Sequence, residues 1–382
     1  MADDTEIEGE DGGPPIAGPS TSGNATPKRT ATGADARRSA GKLQVARAVW
    51  YVRPGVAEMR SEPLPRPGSG EARVRTLWSG ISRGTERLVS NGLVPASEWE
   101  RMRAPLQGGA FPFPVKYGYC ATGVVEEGPA ELIGRAVFCL APHQDQFVAP
   151  VSMLAPLPDG LAPRRATLAA NMETAINAHW DAGTGPGDRI VVVGAGIVGL
   201  LVAAVATRVP GTSVTVVDTE PSRASLVRSL GATFALAPAA PGGRLPTGES
   251  PGAIKDDADV VFHTSASAQG LATAVASAGM EGTIVELSWY GDTPVSLALG
   301  GAFHSRRLKL VSSQVGQVSA SRRVRWSYRR RLDAALRLLS DPAFDALVAE
   351  EIAFAEAPRA LPFILAGSSP ALAPVIRYQD AE

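Results

Sequence analysis

The chain has 382 residues, of which 45% are hydrophobic and 20% charged, with a formal net charge of -1. That length is enough for two domains, and the balanced charge argues against a basic nucleic-acid binder. The one long apolar run, Val191 to Ala206, is broken by glycines and makes no membrane span. Two cysteines, Cys120 and Cys139, are too few for a disulfide framework or a four-cysteine zinc site, so the cytosol is the expected compartment.

Residues 1–42 contain no Leu, Val, Phe, Trp or Tyr and are rich in Gly, Pro, Ser, Thr and Ala. Such a segment buries too little apolar surface to offset its ordering entropy, and it is expected to be a disordered tail. It has neither the basic start nor the apolar centre of a secretory signal.

From Leu43 onwards the pattern is β-rich. Gln44 to Arg53 and Glu71 to Gly80 alternate apolar and polar residues as half-buried strands do, with Pro-Gly punctuation at Pro54-Gly55 and Pro67-Gly68. Gly123 to Glu127, Arg135 to Leu140 and Gln146 to Pro150 are further strand candidates, and Ala162 to Ala182 predicts a helix. Strands then alternate with helical stretches at Asp188 to Val193, Val214 to Asp218, Thr233 to Leu236, Asp259 to His263 and Thr283 to Ser288. Leu308 to Ser313 is predicted to be the last strand of that sheet. This is the order of a doubly wound parallel sheet. Pro238 to Gly252 predicts a surface loop, Arg322 to Ser340 a helix, and Pro374 to Tyr378 a closing strand.

The stretch from Arg189 to Asp218 carries the strongest functional signal. The β-branched run Ile190 to Val193 leads into Gly194-Ala195-Gly196-Ile197-Val198-Gly199, then an apolar helix, then a strand ending on Asp218. Gly194 permits the sharp turn, Gly196 lets a pyrophosphate approach the backbone, and Gly199 lets helix and sheet pack closely. The backbone N–H groups at Ile197 and Val198 open the helix, whose N-terminus favours phosphate. Asp218 would accept hydrogen bonds from the adenosine ribose and repel a 2′-phosphate, which favours NAD over NADP. Arg223 lies five residues on, where it would run along the adenosine side or soften that repulsion.

The order of parts resembles the medium-chain dehydrogenase/reductase superfamily. Ser79 to Glu86, Lys116 to Val125, Asn171 to Asp181 and Phe303 to Gly316 resemble the subgroup containing bacteriochlorophyllide a dehydrogenase. The resemblance implies a GroES-like β-rich catalytic domain interrupted by a Rossmann domain: residues 43–165, 166–311 and 312–382 as first catalytic part, dinucleotide-binding domain and C-terminal catalytic part. It implies hydride transfer between a nicotinamide and a secondary alcohol or carbonyl. It further implies a small-molecule substrate, with cyclic alcohols and ketones among the candidates, and a homo-oligomer with no nucleic-acid or membrane partner. It also marks a departure. Ser82 stands where zinc alcohol dehydrogenases have a cysteine, Tyr119-Cys120 where they have a His-Glu pair, and Glu173 near their third ligand. Hydroxyl and phenol are poor Zn²⁺ ligands, so zinc is not expected. A regrouped site of Cys120, His143 and Glu173 is the remaining metal arrangement.

Without a metal, the developing alkoxide needs a hydrogen-bond donor. Tyr119, Ser82, His143 and Glu173 are the candidates: Tyr119 as donor to the oxygen, Ser82 as a second hydrogen bond, His143 as a proton shuttle. Packing for the tyrosine and a solvated loop for the histidine are the competing readings. A metal-free quinone or enoyl reductase and a non-catalytic dinucleotide sensor are the competing functions. Among weaker features, His179 predicts a packing or capping residue. His304, Arg306 or Arg307 would meet a substrate carboxylate or form a structural ion pair. The run Arg322, Arg323, Arg325, Arg329, Arg330, Arg331 predicts a solvated surface.

Overall fold

The computed structural model describes residues 44–237, 257–348, 350–366 and 372–378. The expected tail over 1–42 and the loop over 238–252 lie outside the described residues.

In chain order the β-rich part runs β1 (Gln44–Arg53), β2 (Val56–Leu64), β3 (Glu71–Gly80), α1 (Arg83–Ser90), β4 (Gly108–Gly109), β5 (Val115–Lys116), β6 (Ala121–Glu127), β7 (Ala136–Cys139), β8 (Gln146–Pro150) and β9 (Ala155–Pro156). Two helices follow, α2 (Pro163–Ala166) and α3 (Ala169–Ala182). The stretch expected as one helix is thus two, interrupted at Thr167 and Leu168. Then come β10 (Arg189–Val193), α4 (Ile197–Ala206), β11 (Ser213–Asp218), α5 (Ala224–Ser229), β12 (Thr233–Leu236), β13 (Ala258–His263), α6 (Ala268–Ser277), β14 (Ala278–Glu286) and β15 (Lys309–Ser312). The chain ends with α7 (Tyr328–Leu338), β16 (Glu351–Ala353), α8 (Ala357–Leu365) and β17 (Val375–Arg377).

Strands β10 to β15 form one parallel sheet in the order β12-β11-β10-β13-β14-β15. The order reverses between β10 and β13, the switch point where ligands of such sheets bind. Both faces are covered, as parallel sheets require. Ile190 and Val192 of β10 enter one apolar core, with Leu200 and Leu201 of α4, while Val191 and Val193 enter another, with Leu271 and Ala274 of α6. Each such valine, isoleucine or leucine side chain contributes about 1.5–3 kcal/mol by leaving water. Strand alternation explains the two-sided burial: successive side chains of one strand point to opposite faces.

The β-rich part makes two further sheets. One has the order β2-β1-β5-β4; the other runs β16-β17-β3-β6-β7-β9, with β8 also paired to β3. β17, near the end of the chain, thereby pairs antiparallel with β3, so Ile376 faces Ser79 and ties the C-terminal segment to the early strands. The predicted helix over 322–340 is shorter than expected. Ser327 caps α7 by accepting from the Arg330 amide, and residues 322–325 form turns instead. Among the described residues, no helix is long and apolar enough to cross a membrane.

Candidate active site

The glycine turn has the backbone that its sequence demands. Gly194 sits at φ +110°, a conformation L side chains rarely adopt, and a Cβ there would come within 2.8 Å of Thr264 Oγ1. At Gly199 a Cβ would lie 1.9 Å from the Gly194 carbonyl oxygen, so only glycine lets α4 lie against the turn. Gly196 differs, because nothing lies within 4 Å of a Cβ placed there. It is the N-cap of α4 and has no side-chain capping bond, leaving open space in front of the first amides of Ile197 and Val198. This cradle fits the pyrophosphate of a dinucleotide.

Asp218 ends β11 and is pinned to the same turn. Its Oδ2 accepts from the Ala195 amide at 2.5 Å and its Oδ1 from the Glu220 amide at 2.8 Å. The carboxylate therefore stands at the rim of the glycine loop, where an adenosine ribose would come. Arg223 follows in the next turn and is partly buried. It faces Arg83 of α1: burial first, and then the charge of Arg223, lower the Arg83 pKa. Just beyond Asp218, the chain thus places Arg223 beside Arg83.

Ser82 and Tyr119 are brought together. Ser82 precedes α1 and is buried, and Tyr119 lies in the loop between β5 and β6. The phenol donates a hydrogen bond to Ser82 Oγ. Tyr119 packs edge-on against Tyr117, with centroids 6.1 Å apart. Burial, and then Cys120, push the Tyr119 phenol well above its ordinary value. A phenol so placed remains protonated, and is a donor rather than a base.

His143 is neither solvated nor at the rim; it is completely enclosed. Its Nε2 donates to Glu86 Oε2 at 2.9 Å, and its Nδ1 accepts from Ser79 Oγ at 2.7 Å. Glu86 also accepts from the Tyr51 hydroxyl at 2.9 Å and from the Ser82 amide at 2.8 Å. The expectation that His143 passes a proton to solvent or ribose conflicts with this burial: both ring nitrogens are already occupied. The network instead holds the loop that presents Ser82. Glu86 lies in the Ser79–Glu86 motif, but the spacing gives no sign that a buried histidine would meet it.

Glu173, on α3, points to Arg331 of α7, with Oε1 3.0 Å from Nε. The same guanidinium donates to Asn177 Oδ1 at 2.8 Å and to the Val315 carbonyl at 2.7 Å. Burial raises the Glu173 pKa and Arg331 opposes it. Arg331 is only 3% exposed, so the expected solvated face of the basic run does not extend to this residue. Arg329 pairs with Asp333, and Arg330 lies over the Trp326 ring. His179 is a packing residue, bonded to Thr184 Oγ1 and the Val202 carbonyl. Arg307 pairs with Glu281, and Arg306 donates to the Ala278 carbonyl at 2.8 Å.

For zinc, the donor set at the resembling positions is a serine hydroxyl bonded to a phenol, with a carboxylate committed to an arginine. These residues do not fit a Zn²⁺ ligand set of thiolate, imidazole and free carboxylate. The regrouped set fares no better. His143 has no free nitrogen, and burial raises the Cys120 thiol pKa. Among the described residues, no three His, Cys, Asp or Glu side chains are grouped to hold a metal.

One cluster was not singled out from the sequence. His263 and Glu286 end the adjacent parallel strands β13 and β14 and are partners in register. His263 Nδ1 lies 2.7 Å from Glu286 Oε2, and its Nε2 lies 2.7 Å from Ser265 Oγ. The usable signal was a histidine at the end of one predicted strand and an acid within the next.

Residues 198–334 match the family described as zinc-binding dehydrogenase. L-galactonate-5-dehydrogenase of Escherichia coli K12 is 29% identical over 189 residues, which is 43% of this chain and 53% of that protein. The chain thus spans about half the length of that curated relative. An alcohol dehydrogenase of Escherichia coli CFT073, solved with NADH, superposes with a TM-score of 0.67 at 15% identity, covering 87% of this chain and 99% of that one. The 2R,3R-butanediol dehydrogenase of Bacillus subtilis gives 0.67 at 17% identity, with the same coverage of 87% and 99%. The fold is shared with these solved dehydrogenases: an α/β architecture with a parallel Rossmann-like sheet.

Proposed function

We propose that the chain is an NAD-dependent dehydrogenase that moves a hydride between nicotinamide and a secondary alcohol or carbonyl, without catalytic zinc. The carrying observation is the Tyr119–Ser82 hydroxyl pair at positions that resemble zinc ligands. Gly194, Gly196 and Gly199, with the amides of Ile197 and Val198, would hold the pyrophosphate; Asp218 would hold the adenosine ribose, with Arg223 beside it. When bound, the nicotinamide supplies the hydride chemistry.

The chain's own residues supply the polar surroundings. Tyr119, kept protonated by burial, donates to the substrate oxygen, and Ser82 orients the phenol. Glu86 and His143 fix Ser82 from below. Glu173 and Arg331 clamp α3 to α7 and do no chemistry. The motifs that resemble the bacteriochlorophyllide a dehydrogenase subgroup support a fairly large, cyclic alcohol or ketone as substrate. On the same reading, the protein works in the cytosol as a homo-oligomer.

A turnover screen with NAD(H) against secondary alcohols, cyclic ketones, enones and quinones tests this. Alcohol oxidation and ketone reduction are the expected activities. Turnover confined to quinones or enones would replace the assignment with a metal-free reductase. NADH binding without any turnover would make the chain a dinucleotide sensor.

A further inference from the structure

Alcohol oxidation releases a proton, and the candidate acceptors described above on the β-rich part are already committed. Tyr119 is held protonated, His143 has both nitrogens engaged, and Glu173 is tied to Arg331. The parallel sheet carries an alternative. We propose that Ser265, His263 and Glu286 form the proton-accepting relay of the reaction: Ser265 meets the alcohol, and the His263–Glu286 pair acts through it. This inference rests on the dehydrogenase reading above.

The geometry is that of a base held by an acid. Because a carboxylate only accepts, Nδ1 of neutral His263 donates to Glu286 at 2.7 Å, which leaves Nε2 to accept from Ser265 Oγ at 2.7 Å. That arrangement fixes the tautomer in which the outer nitrogen is basic. Glu286 lies below the ordinary carboxylate range: burial pushes it up, but the hydrogen bonds from His263 and from the Ser288 amide and hydroxyl pull it down. Glu286 is therefore ionised and ready to balance an imidazolium.

The groups around the ring can be named element by element. From β14 and its following loop, Glu286, Ser288 and Tyr290 face it, and the Tyr290 hydroxyl donates to Glu286 at 3.1 Å. From β10 the register neighbour is the apolar Val193. From α6 the neighbour is Gly270, where a Cβ would fall 2.0 Å from Ser265 Oγ and 2.7 Å from His263 Nε2. A side chain there would push the serine and the imidazole apart, so the helix leaves room for the pair.

Position ties the relay to the glycine turn. Ser265 follows β13 at the switch point, and its backbone abuts the glycine turn: a Cβ on Gly194 would meet Ser265 N at 3.0 Å and Cα at 3.1 Å. Ser265 is exposed while His263 is fully buried. Gly194 and Asp218 belong to the half of the sheet that takes adenosine, so the β13–β14 half takes the nicotinamide end. After Glu286 the chain crosses to the β-rich part, where Trp289 packs on the same apolar cluster as Tyr119.

The step balances. The alcohol C–H leaves as hydride to the oxidised nicotinamide and the C–O bond becomes a carbonyl. The hydroxyl proton passes to Ser265 Oγ as the serine's own proton moves to His263 Nε2. Ser265 also bonds Ser267 Oγ at 3.0 Å, an exposed hydroxyl through which the proton then leaves for water.

The test uses the full chain, with His263→Gln and Ser265→Ala, the second at an exposed position. NADH affinity, read by fluorescence, should stay within about twofold of wild type. Oxidation of 2,3-butanediol and a cyclic secondary alcohol should fall on the order of 10²-fold or more, and the ionisation on the rising limb of the pH–rate profile should vanish. Independently of turnover, nitrogen NMR of the histidine rings should show His263 shifting when NADH is added, and its single Nδ1–H tautomer lost in Glu286→Gln. Wild-type rates with an unchanged pH profile in both variants would overturn the relay, as would a His263 signal indifferent to both NADH and Glu286→Gln. Loss of NADH binding by the wild-type protein would instead remove the dehydrogenase reading, and with it the relay.

Discussion

The Tyr119 hydroxyl spends its proton on Ser82 Oγ, so the two side chains are partners before any substrate arrives. A substrate oxygen must therefore draw the phenol's hydrogen bond away from Ser82 or share it. Tyr119→Phe removes the donor and leaves the ring packing. Its turnover should fall by about 10²–10³ with NADH affinity unchanged, as for loss of one oxyanion-type donor. Ser82→Ala should cost less, because the phenol remains. A Tyr119→Phe enzyme at the wild-type rate would make Tyr119 a packing residue only.

Asp218 holds the Ala195 amide at the rim of the glycine loop, so its charge and its geometry can be separated. Asp218→Asn keeps an oxygen for the amide and removes the charge that repels a 2′-phosphate. Fluorescence titration should show wild type preferring NADH, and the variant gaining NADPH affinity while losing some for NADH. The charges of the neighbouring Arg83 and Arg223 favour that gain. A wild-type preference for NADPH would invert the role assigned to Asp218.

The Ser82, Tyr119 and Glu173 donor set leads to a compositional expectation. Elemental analysis of protein purified without chelator should find zinc well below one atom per chain, and prolonged chelation should leave activity intact. One tightly held zinc per chain, lost together with activity, would overturn the metal-free assignment.

Glu173 and Arg331 join α3 to α7 in a nearly dry setting, with side chains 8% and 3% exposed. Arg331→Met leaves a buried carboxylate without its partner, which costs about 3–5 kcal/mol. Urea unfolding should show that loss, and Glu173→Gln in the same background should restore part of it. If Arg331→Met unfolds at the wild-type midpoint, the pair contributes nothing to stability.

Much of the sheet architecture was legible because its signals are local. β10 and β11 announce themselves by β-branched runs, and the glycine turn by spacing. β2 escaped because Val56 to Leu64 is half-exposed and alternates weakly; it is a strand chiefly through its hairpin pairing with β1. The candidate site was less legible because its partners are far apart in sequence. Nothing near His143 announces Glu86, 57 residues away, and nothing near Arg331 announces Glu173, 158 away. His263 and Glu286 meet only through the register of two parallel strands, which no single-strand pattern encodes.

His179 supplies a pH dependence whose sign follows from its burial. The ring sits between α3 and α4, bonded to the Val202 carbonyl at 3.0 Å and to Thr184 Oγ1 at 2.9 Å. Burial pulls its pKa down to about 4, from 6.5. The folded state thus prefers the neutral ring, while the unfolded chain protonates at its ordinary pKa. The associated stability is whole above about pH 6.5, declines as pH falls towards about 4, and changes no further below that. A tenfold change in proton affinity is worth about 1.4 kcal/mol, so the full loss is on the order of 3 kcal/mol. His179→Gln can keep both hydrogen bonds and cannot titrate. Urea unfolding at neutral pH and near pH 4 should therefore show a smaller acid loss in the variant than in wild type, by about that amount. Equal losses in the two proteins would show that His179 titrates alike in the folded and unfolded states.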